Sequence, residues 1–488
     1  MTRHLDYRGG PGHDGHYDMV VAIASSRTPR PMTLSPARLK EMLDAGIAEC
    51  GVPGASLAVW AGGEAAEAAA GVCNLETGVP ATVETLFQIG SITKLYTAVL
   101  CLQLAEEGKL ALDQPVRATL PDFRVADARV AAEVTLRDLL SHRSGIEGDY
   151  FRDAGRGEDR IAKFTAMMAA LGQVHPRGAM FSYCNTGFVA AGRMIEVADG
   201  RIWDKVIRSR IVKPLGTPAF STLPEQAMRY QTAIGHLGAP GHLVVTPVAY
   251  LAQSNAPAGS MPMARARDVI SFARMLMAGG VAPNGTRLMS PDSVAAMQTV
   301  NMRCPRGMHI DAIGLASFMW DWDGDGAHEV FGHDGSTIGQ AAWLRYHPAS
   351  GTAFCLLTNG GNGKALADRL IRKVFSEAAG IAPPAPPQTD AGFVLQPARH
   401  EGRYGNMMEV IEVTVEDGRL VATIEAAPDY AVISGGTRRV ALEAVDGELF
   451  LGVAPGMTLP QSWHFLGDDG RGRALYLHTG ARAHRRVA

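Results

Sequence analysis

Several absences limit what this sequence can be. No apolar run approaches the ~18–20 residues of a membrane-spanning helix, so no membrane partner is expected. The six cysteines (50, 73, 101, 184, 304 and 355) have neither metal-ligand nor disulfide-framework spacing; free thiols in a reducing compartment, and no metal, are expected. A net charge of −3 gives nucleic acid or an anionic surface no electrostatic basis for binding. Near the N-terminus the one apolar run, Met19 to Ala24, is too short for a signal-peptide core and has no basic region just before it. A cytoplasmic location is therefore expected, or a periplasmic one if the true start lies elsewhere. Lysine is scarce as well, with eight among 46 Lys plus Arg.

The rest divides by pattern. Residues 1–31 are rich in Gly, His, Pro and Arg without periodicity and read as a flexible arm, in which His13 and His16 belong to a solvated tail. From Ser35, a cap followed by Pro36, PARLKEMLDAGIAEC has helical spacing. ASLAVW and EAAEAAAGVCN, split by Gly62 and Gly63, suggest a hairpin, and a long helical pattern follows from Ser91 to Glu107. Helix and loop dominate from about 115 to 300; GLASFMW, QAAWLRYH and GTAFCLLTN are strand-like, and a helix follows from Lys364 to Ala379. This order predicts one sheet assembled from both ends of a domain spanning 32–380, with a helical insertion. The Pro-rich stretch APPAPPQTD marks a linker over 381–390. Over 391–488, apolar alternation broken by Glu-Asp-Gly, Val-Asp-Gly and Asp-Asp-Gly turns predicts antiparallel hairpins forming a small barrel or sandwich.

One rare lysine stands out. In FQIGSITKLYTA, Lys94 falls in the first turn of the predicted helix, where the dipole disfavours a cation, and it shares a face with Ser91 at i, i+3. A serine hydroxyl becomes a nucleophile when a base takes its proton, and a lysine is such a base when burial or a nearby positive end disfavours its charge. The bland alternative is a capping serine beside a snorkelling surface lysine.

TLFQIGSITKLYTAVLCLQLAEEGKLALDQPV, with TLRDLLSHRSGI, FSYCNTGFVAAGRMIEVADGRIWDKVI and GHDGSTIGQAAWLRYHPASGTAFCLLTNGG, resembles the serine β-lactamase and penicillin-binding-protein family over roughly residues 35–380. The likeness is to its class C β-lactamase, DD-peptidase, D-aminopeptidase and esterase branch. It implies an α/β (α+β) domain, an antiparallel sheet flanked by helices with a helical subdomain, followed by an all-β barrel that resembles the lipocalin-like domains appended to some relatives. The resemblance makes Ser91 the nucleophile and Lys94 its base. Tyr183 and Asn185 form the Y-x-N motif, the first moving the Ser91 proton as a phenolate and the second holding the substrate amide and Lys94. Tyr404-Gly405-Asn406 fits the same pattern by chance. No K-T-G occurs; H-x-G occurs four times, at His13, His236, His333 and His478, and only His333 opens a strand pair followed by a helix. Histidine here is usual in the family's esterases and D-aminopeptidases, in place of a β-lactamase lysine. Gly335 would let substrate lie along the strand, and the backbone N–H groups of Ser91 and Ser336 would form an oxyanion hole.

Two departures accompany the match: Cys184 replaces a common serine, and the class A S-D-N and deacylating Glu motifs are absent, leaving deacylation to Tyr183 and Lys94. DWDGDG mimics the start of a calcium loop but has Gly332 at position twelve, so a polar turn is expected. His142 and Ser144 in SHRSG read as a structural loop near the site, and Met319, Trp320 and Trp322 as core or cleft wall. The expected activity is a serine peptidase or amidase, extending to linear or D-residue-containing peptides such as linearised microcystin. Its rivals are a carboxylesterase or β-lactamase, a peptide-cyclising transacylase, and a non-catalytic binding protein on the same fold. Partners are small peptide, amide or ester substrates, with no cofactor; the sequence leaves the oligomeric state open. Specificity is assigned to loops 147–180 and 236–263 and to a barrel segment reaching the cleft.

Overall fold

The computed structural model describes residues 34–239, 241–326, 329–430, 436–454 and 459–487; the expected arm, 1–31, lies outside them. Helix α1 (Pro36–Cys50) begins where Ser35 accepts from the Arg38 N–H and ends at Gly51 in the left-handed region, φ 59°. Its buried stripe, Leu39, Met42, Leu43 and Gly46, faces the sheet. Strands β1 (Gly54–Ala61) and β2 (Glu64–Gly71) form the expected hairpin. The later strands are β3 (Met302–Arg303), β4 (Ala312–Ile313), β5 (Phe318–Trp320), β6 (Val330–Ser336), β7 (Ala341–His347) and β8 (Thr352–Thr358). They complete an eight-stranded sheet in the order β2-β1-β8-β7-β6-β5-β4-β3, whose neighbouring strands pair antiparallel. The N-terminal hairpin thus joins the C-terminal strand, with Leu57 opposite Leu356, as the order of elements predicts.

Helix α1 and helix α5 (Gly363–Ala379) pack on one face of the sheet around Leu43, Leu57, Leu356, Leu370 and Phe375. On the other face lies helix α4 (Ala266–Met277), and helix α2 (Thr93–Glu106) shares its core, with helix α3 (Asn185–Asp199) packed on α2. Every residue of α2 from Thr93 to Gln103 is buried, so this helix is the centre of the domain and not an amphipathic surface element. The sequence places the helix start at Ser91, whereas a 3₁₀ turn, Gly90–Ile92, comes first and the α-helix begins at Thr93. Ser91 therefore stands on a tight turn ahead of the helix, and Lys94 lies in its first α-turn.

Residues 381–390 have no regular secondary structure, and Arg372 of α5 donates to the Pro383 and Pro384 carbonyls. Beyond them, strands β9 (Gly402–Gly405), β10 (Glu409–Glu416), β11 (Arg419–Ala426), β12 (Arg438–Ala444), β13 (Leu449–Gly452), β14 (Gln461–Leu466), β15 (Tyr476–Thr479) and β16 (Arg482–Arg486) form a closed barrel. Of the barrel and sandwich alternatives, the chain takes the barrel. Each strand pairs with the next, and β16 returns to β9. Asp417 and Gly418 both have positive φ, 48° and 78°, as the two-residue turn between β10 and β11 requires. Ile411, Val413, Leu420, Ala422, Phe450 and Trp463 fill its interior. Among the described residues no helix is long and apolar enough to cross a membrane.

A short helix, Leu136–Leu140, leads into the SHRSG loop and carries its own anchor. The buried Asp138 carboxylate accepts from the Thr135 N–H (3.0 Å) and hydroxyl (2.9 Å), from Arg143 (2.7 Å) and from Arg177 (3.0 Å). Burial pushes its pKa up, but the Thr135 and arginine hydrogen bonds outweigh it and hold the carboxyl below its ordinary range. A carboxylate whose folded pKa is depressed stabilises above its unfolded value, roughly 3.9, and loses that contribution as pH falls through the folded value. Asp138→Asn is expected to cost about 1–3 kcal/mol at neutral pH and to flatten the acid arm of stability, measured by urea denaturation from pH 7 to 3.

Candidate active site

Four separate parts of the chain converge on Ser91. The Gly90–Ile92 turn presents its half-buried hydroxyl, and α2 supplies Lys94, whose side chain is fully buried. Lys94 Nζ stands 2.9 Å from Ser91 Oγ, 2.6 Å from Asn185 Oδ1 and 2.6 Å from the Ala258 carbonyl. The last two are acceptors only. An ammonium can donate to all three oxygens, and a neutral amine can donate to these two and turn its lone pair to the Ser91 hydroxyl. Burial drives the Lys94 pKa well below the ordinary lysine value; Asp149 opposes this and Arg482 reinforces it.

Tyr183 and Asn185 enter at the start of α3. Tyr183 is 8% exposed and its ring lies 4.8 Å from Lys94 Nζ. Burial raises its pKa against the opposing pull of the Ser91 hydroxyl, so the resting group is a neutral phenol. A neutral phenol differs from the phenolate expected from sequence, and the Lys94 amine is the other titratable group beside the Ser91 hydroxyl. Beneath Tyr183 lies the imidazole of His142, stacked at 4.3 Å between ring centroids, and its Nδ1 accepts from the Cys184 N–H at 2.9 Å. The SHRSG segment is thus a support for the Tyr183 ring. The Cys184 thiol is buried against the Ile146 carbonyl and the Thr186 hydroxyl.

The third wall is β6. Strand β5 pairs with Val330, Phe331 and Gly332 only, which leaves His333 to Ser336 open along the edge facing the Ser91 turn. His333 stacks on Phe318 at 3.9 Å and lies 6.0 Å from the Tyr183 ring. Burial, aided by nearby Lys94, holds its pKa down to about 3 against the pull of Asp334, so the ring is neutral. The two backbones touch. A Cβ on Gly335 would sit 2.0 Å from the Ile89 carbonyl oxygen and 3.1 Å from the Ser91 nitrogen; one on Gly90 would sit 2.5 Å from the Ser336 nitrogen. This contact juxtaposes the Ser91 and Ser336 backbones, as an oxyanion hole requires. Gly335→Ala is expected to prise β6 from the nucleophile turn and lower kcat by about 10²-fold, read by steady-state kinetics on protein whose near-ultraviolet circular dichroism matches the parent.

The other sequence candidates lie elsewhere. His236 is buried between the Leu75 N–H and the Asn359 carbonyl, and His478 contacts the Phe181 carbonyl from the barrel. Tyr404 lies inside the barrel, its hydroxyl on the His400 carbonyl. The Asp321 carboxylate accepts the Gly324 and Gly326 N–H groups, which is turn chemistry. Trp320 lines the cluster that holds Phe181 and Tyr183, while Trp322 packs edge-on against Phe375. Sequence reasoning singled out neither the Ala258 carbonyl nor Asp149 and Arg482. Asp149 and Ala258 fall within the loops 147–180 and 236–263 assigned to specificity, and Arg482 within the barrel, with no spacing to single them out.

Residues 39–379 match the family model described as Beta-lactamase. "Penicillin-binding protein 4" of Amycolatopsis lactamdurans is 42% identical over 367 residues, covering 73% of this chain and 95% of that protein. The crystal structure of SurE is similar over 93% of this chain and 99% of its own, with a TM-score of 0.73 and 29% identity; SurE with D-Leu gives 0.71 and 28%. The D-stereospecific amidohydrolase from Streptomyces sp. matches 71% of this chain and 100% of its own at a TM-score of 0.55 and 28% identity. With a buried Ser-Lys-Tyr cluster on a sheet edge and a family match over most of its length, the chain belongs to the β-lactamase family and is a serine hydrolase.

Proposed function

We propose that this chain hydrolyses the amide bond of small peptides or amides with a D-residue beside the scissile bond, through an acyl-enzyme on Ser91. The observation that carries this reading is Lys94, buried away from water and hydrogen-bonded to Ser91 at 2.9 Å. The Ser91 hydroxyl attacks the substrate carbonyl while the neutral Lys94 amine takes its proton. The Ser91 and Ser336 N–H groups stabilise the oxyanion, and Asn185 and Gly335 hold the substrate's amide against β6. Tyr183 passes the proton to the leaving amine, and water then attacks the ester with the same groups working in reverse. Neutral His333 closes the pocket beside Tyr183 without placing a second cation near Lys94. The D-configuration is favoured by the likeness to a D-stereospecific amidohydrolase and to SurE with D-Leu.

The test has two parts. A fluorophosphonate probe should add to the protein, with peptide mapping placing the adduct on Ser91. Next, kcat/KM is compared for D- and L-aminoacyl p-nitroanilides, p-nitrophenyl esters and nitrocefin, with product masses taken in the presence of added amine. D-amides should lead and give free acid. Preference for esters or nitrocefin, or a predominantly amine-linked product, overturns the amidase reading.

A further inference from the structure

Asp149 belongs to none of the recognised motifs, yet it is buried, 3% exposed, immediately behind Asn185. Its Oδ1 accepts from Asn185 Nδ2 at 2.6 Å, and its two oxygens accept from Arg482 Nε at 2.5 Å and Nη2 at 3.1 Å. Arg482 opens the last barrel strand, β16, and its guanidinium also lies 5.1 Å from the Tyr183 ring. The turn before it is fastened to the site. The Tyr183 N–H donates to the Ala481 carbonyl at 2.9 Å, and the Ala483 N–H donates to Ser182 Oγ at 3.1 Å.

A carboxylate only accepts, so Asp149 commits Asn185 Nδ2 to itself and turns Oδ1 towards Lys94; a reversed amide would aim N–H groups at the amine. The Asp149 charge also favours an ammonium at Lys94, and the Arg482 charge opposes it. We propose that Asp149 and Arg482 are positioning residues for the hydrolysis, the barrel's guanidinium neutralising the carboxylate that orients Asn185, so that the C-terminal barrel is part of the catalytic unit. The groups facing Lys94 are Ser91 on its own turn, Tyr183, Cys184 and Asn185 around the start of α3, His142 from the SHRSG loop, and His333 from β6. Burial holds both imidazoles neutral, which leaves Asp149 and Arg482 as the opposed charges around the amine.

This inference rests on Lys94 being the base for Ser91, and its test is signed. In kcat/KM against pH for a D-aminoacyl p-nitroanilide, Arg482→Gln should move the acidic limb to higher pH by about one unit, roughly tenfold in rate at a fixed pH on that limb. Asp149→Asn should move it to lower pH and also lower the plateau, because Asn185 loses its fixed orientation. Asp149→Asn combined with Arg482→Gln should restore the parental limb, as should Arg482→Lys. A merely structural role would move yield and plateau but not shift the limb in opposite directions. An unmoved limb, or a shift of one sign in both single variants, overturns the proposal. If a single variant does not fold, the double variant and Arg482→Lys decide, and a displaced limb in either overturns it. Fluorophosphonate labelling of the parent keeps the two ideas apart: a labelled parent with unmoved limbs defeats only the positioning role, whereas an unlabelled parent defeats both.

Discussion

Ser91→Ala should lower amide hydrolysis by at least about 10⁴-fold and abolish fluorophosphonate labelling. The reason is chemical: in the proposed mechanism the acyl-enzyme requires an oxygen at that position, and the neighbouring groups act on its proton or on the oxyanion it creates. Ser91 is half-buried on a 3₁₀ turn, and losing one hydroxyl there removes little packing, so stability should stay within about 0.5 kcal/mol of the parent. Activity and thermal unfolding measured on the same preparation separate the two effects. Retention of more than about 1% of parental kcat/KM with no competing hydrolase in the sample would remove Ser91 from the mechanism.

Lys94→Met should cost about 10²–10⁴-fold in kcat/KM, because it approximates the length of the side chain and removes the proton acceptor. The pH dependence is the sharper measurement. A base must be neutral, so parental activity falls as pH drops through the Lys94 pKa. Burial places that pKa well below the ordinary lysine value, and the limb should lie correspondingly far to the acid side. His333, held down to about 3, stays neutral across the working range and does not supply the limb. Residual activity of Lys94→Met should therefore have lost this limb. The Asn185 Oδ1 and Ala258 carbonyl would be left without their donor, so a stability loss of about 1–3 kcal/mol should accompany it. Parental rate and limb in the Lys94→Met variant would show that Lys94 is structural.

The barrel adds contacts to the segment that carries Tyr183 and to Asp149. In the catalytic domain alone the Tyr183 segment would lose the Ala481 carbonyl, and Asp149 would lose its only bidentate partner among the described residues. The likeness to SurE covers 93% of this chain, more than the catalytic domain alone can supply, whereas that to the D-stereospecific amidohydrolase covers 71%.

What the sequence determined by itself is local. Ser35 and Gly51 delimit α1 because capping and left-handed φ depend on neighbouring residues. Asp417 and Gly418 make the β10–β11 turn for the same reason, and three-residue spacing across the 3₁₀ turn and the first α-turn brings Lys94 to Ser91. The likeness of several ordered segments added Tyr183, Asn185, His333 and the fold, since a motif three residues long acquires meaning from the segments around it. Tertiary structure decided the rest. It moved the start of α2 from Ser91 to Thr93, buried Lys94 on every side, and made Tyr183 a neutral phenol through desolvation, a property of the surroundings that no tripeptide encodes. It also brought Arg482 to Asp149 across 333 residues of chain. That ion pair has no sequence signal, because its partners follow different local rules, one in a loop and one at the start of a barrel strand. Only the docking of the barrel on the catalytic domain brings the partly exposed Arg482 onto the buried Asp149 and gives their charges a bearing on Lys94.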